Sequence, residues 1–310
     1  MNKEYPYKDH DRWFKELLGT FFEEFIFAFF PAMYEHIDFQ DTRFLSEELY
    51  TDILQGEKRR VDLLVETRLK DEEALIIIHI EPQAYYQPQF ADRMFVYFSR
   101  LYEKYRRPIV PIAVFSYDKI KEEHNQLLMT FPFFQVLDFR FLKLELANMN
   151  WKEYIEQPNP VAAALLSKMG YRQDERIQVK KEFLRLLVKM QLDPARMRLI
   201  TGFFEAYLSL TFEEDEQLQA EIEQLPKEEE VQIMEMISSW ERRAMEKGIE
   251  QGIEQGIEQG IEKGLAKGLT EGERKKALEV AEKMLAKGYE LELIKEMTGL
   301  TTEEIKKCEK

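Results

Sequence analysis

RVDLLVET (residues 60–67) and ALIIIHIEPQ (residues 74–83) decide the fold of this chain. The first alternates apolar and polar side chains and reads as a strand with one wetted face. The second opens with a continuous apolar run, 74–80, of the kind found in strands buried on both faces. The polar segment Lys70 to Glu73 between them predicts a hairpin. Further out, IVPIAVFS (109–116) is another buried strand, and a short strand is expected near 134–141. His10 to Phe30 carries Phe14, Leu17, Leu18, Phe21, Phe25 and Phe29 at helical spacing, with Asp9 or Asp11 as cap and Pro31 as stop. Pro88 opens a second helix, Gln89 to Tyr105. The order helix, strands, helix, strand gives an α/β fold, a mixed sheet flanked by helices, over residues 1–150.

The remaining chain changes character. Residues 151–236 read as an all-helical bundle, with amphipathic segments at 160–169, 179–190, 194–208 and 213–225. Residues 237–275 hold an internal repeat, GIEQGIEQGIEQGIEKGLAKGLTEG, with glycine at every fourth position from Gly248 to Gly272. A four-residue step turns a helix by about 400°, so the glycine row drifts by about 40° per repeat. One straight partner could not follow it, but a right-handed wrapped partner could. Each glycine costs about 1 kcal/mol against alanine, so this stretch is either a helix rescued by close helix contact or a loose linker. The repeat lacks the GxxxxGK[ST] pattern of a phosphate-binding loop. Residues 276–310 form a small helical hairpin, with Gly288 and Gly299 as helix ends and Thr301 or Thr302 as a cap. It resembles a small helix-turn-helix, a shape that serves packing as well as DNA reading.

The chain has 310 residues, 45% of them hydrophobic, with 22 Phe and 14 Tyr, enough for two or three domains. Its net charge of −15 excludes a surface coated in positive charge, so any DNA-binding face must be local. A metal that neutralises phosphate would ease that conflict. Cys308 is the single cysteine, which excludes a disulfide framework within the chain and fits a reducing, cytoplasmic setting. The N-terminus lacks the apolar run of a signal peptide, and Glu23 and Glu24 interrupt the apolar stretch 21–30, so no membrane span is expected.

Chemistry centres on Asp62 and Glu81. On a strand, His79, Glu81 and Gln83 share a face. A carboxylate at the end of a buried strand is costly unless it is paired or binds a metal. If the two strands form a hairpin, Asp62 and Glu81 lie on adjacent strands at the same end, as Mg2+ or Mn2+ requires of hard oxygen ligands. The alternative is that Asp62 pairs with Arg60 and Glu81 caps a turn. Lys58, Arg59 and Arg60 can meet phosphates or form a solvated turn. Arg93 and Arg100 share a helix face and can reach DNA or bridge to acids such as Glu103. Tyr85, Tyr86, Phe90, Tyr97 and Tyr102 read as core, and His10 and His79 as structural.

HDRWFKELL (10–18), RRVDLLVET (59–67), IIIHIEPQ (76–83), QFADRMFVYFSRLYEKY (89–105) and VPIAVFSYD (110–118) together resemble the Rpn family of recombination-promoting nucleases and transposases, within the PD-(D/E)xK nuclease superfamily. The likeness extends through NPVAAALLSKM (159–169), FFEAYLSL (203–210) and the glycine repeat. It implies a restriction-endonuclease-like fold and a Mg2+-dependent DNA endonuclease acting in recombination or a mobile element. Asp62 matches the metal-binding aspartate and Glu81 the second acid, with the Pro82 carbonyl as a further ligand. Gln83 stands where the family pattern has lysine, and glutamine can orient water but is neither cation nor base. Lys15 is a candidate replacement, unless it pairs with Asp11. The alternative function is an inactive nuclease fold that binds DNA or protein. A homodimer through the C-terminal helical tail would supply two active sites for double-strand cutting.

Overall fold

The computed structural model describes residues 7–45, 63–70, 75–83, 89–117 and 123–308. Three helices come first: α1 (Tyr7–Thr20), α2 (Phe22–Phe29) and α3 (Pro31–Tyr34). The expected single helix is broken at Phe21, where the backbone turns out of helical geometry (φ −125°, ψ 44°). The run ends before Pro31, at Phe29, as expected, and Pro31 also starts α3, since a proline at the first helical position loses no hydrogen bond.

The strands are β1 (Ile37–Leu45), β2 (Leu63–Leu69), β3 (Leu75–Gln83), then, after helix α4 (Phe90–Tyr105), β4 (Ile109–Phe115), β5 (Gln126–Phe131), β6 (Phe134–Arg140) and β7 (Leu142–Glu145). A five-stranded mixed sheet has the order β1-β2-β3-β4-β7, and β5 with β6 makes a separate two-stranded sheet. β1 and β2 are antiparallel, as are β2 and β3, whereas β3, β4 and β7 run parallel. The sequence reading missed β1, whose register slips between Asp38 and Arg43. Buried Thr67 holds that irregular edge, donating to the Asp38 carbonyl at 3.0 Å and lying 3.2 Å from Thr42 Oγ1. β3 runs three residues past its apolar stretch, through Glu81 to Gln83.

On one side, Leu64 packs with Tyr97 and Leu101, and Ala113 and Phe115 pack with Phe90 and Met94 of α4. Phe90 and Tyr97 are core as expected, but Tyr102 is 47% exposed, because its position on α4 turns away from the sheet. Tyr85, Tyr86 and the hairpin residues 71–73 lie outside the described residues.

Helices α5 (Pro160–Leu165), α6 (Arg176–Met190), α7 (Pro194–Tyr207) and α8 (Phe212–Ile222) follow. Every residue of α5 is buried. Asn159 caps it, its Oδ1 accepting from Val161 N and Ala162 N at 3.0 and 2.9 Å, and its Nδ2 donates to the Glu24 carbonyl at 2.9 Å. One side chain thus closes a helix end and ties it to α2. Phe14 of α1 meets Phe203 of α7 edge to face at 5.0 Å. Gly202 makes room for this packing, since a Cβ there would lie 2.7 Å from the Trp13 ring.

The long helix α9 (Lys227–Ala286) contains the whole glycine repeat, which is therefore helical. The chain forms two compact units, Met1–Glu235 and Met236–Lys310. In the second, α10 (Leu291–Thr298) and α11 (Thr302–Lys307) close on the end of α9 through Ala281, Ile294, Leu300 and Ile305. Gly288 and Gly299 end helices with positive φ, 76° and 70°. No helix among the described residues is long and apolar enough to cross a membrane.

Asn159→Ala removes a cap and the hydrogen bond from Asn159 Nδ2 to the Glu24 carbonyl. Urea unfolding should show a loss of about 2–3 kcal/mol.

Candidate active site

β2 and β3 pair Leu63 with Ile80, Leu64 with His79 and Val65 with Ile78. In sequence, Leu63 follows Asp62 and Ile80 precedes Glu81. Asp62 itself lies outside the described residues, as do Lys58, Arg59 and Arg60. The backbone of Glu81, Pro82 and Gln83 belongs to β3 and is registered with Ala113, Val114 and Phe115 of β4. Ala113 and Phe115 are in turn registered with Lys143 and Glu145 of β7. Glu81, Ala113 and Lys143 therefore occupy one row across three parallel strands, and Gln83, Phe115 and Glu145 the next. Both rows lie at the carboxyl ends of the strands, where open α/β sheets place ligands.

Lys15 lines an open cleft of about 440 Å3, whose walls also include Arg12, Glu16, Phe44, Leu63 and Leu64. It thus borders the residue that follows Asp62. Arg12 is ion-paired with Glu16 at 2.9 Å. On α4, the Arg93 guanidinium lies over the rings of Phe90 and Tyr97, at 5.0 and 5.8 Å. Arg100 is half-buried on the same helix. Among the described residues no three His, Cys, Asp or Glu gather into a metal-sized cluster.

Two polar clusters escaped the sequence reading. Lys143 donates to the Glu123 carbonyl at 2.8 Å and to Glu145 Oε1 at 3.1 Å. The Glu123 N–H donates to the same Glu145 oxygen at 2.7 Å, and the Tyr117 hydroxyl to the Glu123 carboxylate. The alternation of LKLE was the only sequence signal, and four residues are too few to carry it. The second cluster is centred on His10, whose Nε2 lies 3.0 Å from Ser116 Oγ and whose Nδ1 lies 2.7 Å from the Tyr207 hydroxyl. His10 is structural as expected, but its partners are 106 and 197 residues away, beyond any local pattern.

At the C-terminus, Thr301 and Glu304 form a capping box: Glu304 Oε2 accepts from Thr301 N at 2.9 Å, and Glu304 N donates to Thr301 Oγ1 at 3.4 Å. Arg274 also pairs with Glu304. The hydrogen bonds from the Thr301 backbone and hydroxyl, followed by Arg274, hold the Glu304 carboxyl below its ordinary value of 4.5.

The described residues define a mixed α/β protein with a polar, cleft-bordered sheet end and a helical C-terminal unit. Residues 274–310 match the family model for the C-terminal HTH domain of the Rpn/YhgA-like nuclease family. No curated protein and no solved structure matches the chain.

Tyr207→Phe removes one of the His10 partners and should cost about 1–2 kcal/mol in unfolding free energy. A second expectation concerns acid. Because the folded-state value for Glu304 is lowered, its contribution is present above the unfolded value and fades as pH falls through the folded one. Circular dichroism should show helix loss at the C-terminal unit on acidification below about pH 4.5, and Glu304→Gln should flatten that part of the profile.

Proposed function

We propose that the chain is a metal-dependent DNA endonuclease, hydrolysing phosphodiester bonds with Asp62 and Glu81 as its paired carboxylates. The observation that carries this reading is the pairing of Leu63 with Ile80, the residues that flank the two acids. Neighbouring strands lie about 4.8 Å apart, a spacing at which two carboxylates can share one cation. Two carboxylates and the Pro82 carbonyl are hard oxygen donors, and such a set fits Mg2+ or Mn2+. When bound, such an ion lowers the pKa of water and offsets charge on the scissile phosphate.

The chain's own residues do the rest. Asp62 and Glu81 supply the negative charge that holds the ion, and Gln83 orients water or a phosphate oxygen through its amide. A cation must then come from outside β3. Lys15, at the cleft bordered by Leu63, is one source. Lys143, two strands away in the row of Glu81, is the other, and it is the only lysine in the five strands of the main sheet. Lys58, Arg59 and Arg60 would meet phosphates just before Asp62, and Arg93 and Arg100 would do so from α4. The β1-β2-β3 meander followed by α4 and parallel β4 supports a restriction-endonuclease-like domain. The family's C-terminal HTH domain supports DNA as the partner. Along α9, Ile253, Ile257 and Ile261 are exposed and the glycines between them have open space, which supports pairing of two copies through this helix.

A plasmid-nicking assay with Mg2+, Mn2+ or EDTA tests the reading. Asp62→Ala and Glu81→Ala should each lower nicking by about 100-fold or more. Nicking that persists in EDTA, or in both variants, would refute the proposal. Lys15→Ala and Lys143→Ala distinguish the two cation sources: the residue that serves should cost about 10- to 100-fold, and the other little.

A further inference from the structure

β5 and β6 pair only with each other among the described residues, from Gln126 with Arg140 to Phe131 with Phe134. Part of this hairpin is anchored: Phe139 belongs to the core with Phe90 and Met94, and Leu127 and Leu137 pack against it. The rest is uncovered. Phe133 is 86% exposed, Phe134 63% and Phe131 49%, and Leu128, Met129 and Val136 are about as open as Phe131. The three phenylalanines alone present roughly 400 Å2 of ring surface. Leu128 pairs with Asp138 and Met129 with Leu137, so these two side chains lie on opposite faces of the hairpin, and the three phenylalanines at its tip form the apolar patch. No charged residue occurs from Gln126 to Leu137.

The chemistry selects among occupants. Phosphate-bearing partners, nucleic acid or lipid headgroup, call for Lys or Arg beside the apolar groups. The only cation on the hairpin, Arg140, is held by Asp138 at 3.1 Å, and Asp138 also accepts from Gln126. Protein interface cores, by contrast, are depleted of charge and enriched in Phe and Met.

We infer that this hairpin pairs with the same hairpin of a second copy of the chain. Roughly 400 Å2 from each copy gives about 800 Å2 in all, the size of a weak, reversible protein–protein contact. A two-fold pairing brings like against like, and an uncharged patch meets its own image without charge repulsion. It also provides a neighbour for an edge strand, which otherwise offers unpaired N–H and C=O groups to any passing chain. This contact is distinct from α9 and does not depend on nuclease activity.

Sedimentation equilibrium on the full chain tests it. The comparison is made in a background of Ile253→Lys and Ile257→Lys, so that pairing along α9 cannot mask the result. Adding Phe133→Asp and Phe134→Asp should raise the dimer Kd by at least about tenfold. Circular dichroism should stay unchanged, since both side chains face solvent. Amides of residues 126–137 should exchange faster in the aspartate variant. An unchanged Kd, or a background protein that is monomeric at about 100 µM, would overturn the inference. So would aspartate substitutions that leave association intact but weaken binding to a DNA duplex or to anionic phospholipid vesicles, which would assign the hairpin to that partner.

Discussion

The pairing of Leu63 with Ile80 is the constraint on which the rest of the first unit depends. A slip of one residue would turn every side chain of β2 to the opposite face. Several contacts oppose such a slip. Thr67 is bound to β1 through the Asp38 carbonyl. Glu66 accepts from Arg107 at 2.7 Å, just beyond the end of α4. Leu64 is clamped by Tyr97 and Leu101. These contacts involve different elements and different forces, so the register is over-determined. The ends of β2 and β3 inherit their alignment from the middle of the sheet.

Legibility from sequence followed burial. β3 and β4 announce themselves because their apolar runs are unbroken, and the buried side chains of β4 run through both of its faces. β1, IDFQDTRFL, does not. It is an edge strand with an irregular register, and its polar residues obscure the alternation that a half-buried strand should show. The break at Phe21 was hidden for the opposite reason: Phe14, Leu17, Leu18, Phe21 and Phe25 are all buried, so the apolar spacing continues through the non-helical residue. At the sheet end, the strand positions of Glu81 and Gln83 were legible because they close a recognisable strand. Lys143 was not, because its relation to Glu81 exists only through an intervening strand from elsewhere in the chain.

The helical part of the first unit serves the sheet as a brace. Asn159 ties α5 to α2, Phe14 meets Phe203, and His10 joins the end of β4 to the end of α7. The second unit uses simpler means: two glycines in left-handed geometry, a Thr–Glu cap and a small apolar cluster. This economy suits 75 residues in which most of the length is one helix.

The bare aromatic tip of the β5–β6 hairpin has a consequence for the chain's life before it is complete. Newly made copies at high local density display a sticky, neutral strand pair that can join any similar edge. Pro132, set between Phe131 and Phe133, withholds one backbone donor from such associations and breaks the continuity of a growing stack. Selection on this turn would therefore act on yield as well as on the finished molecule, and slow expression at low temperature should favour recovery of dispersed protein.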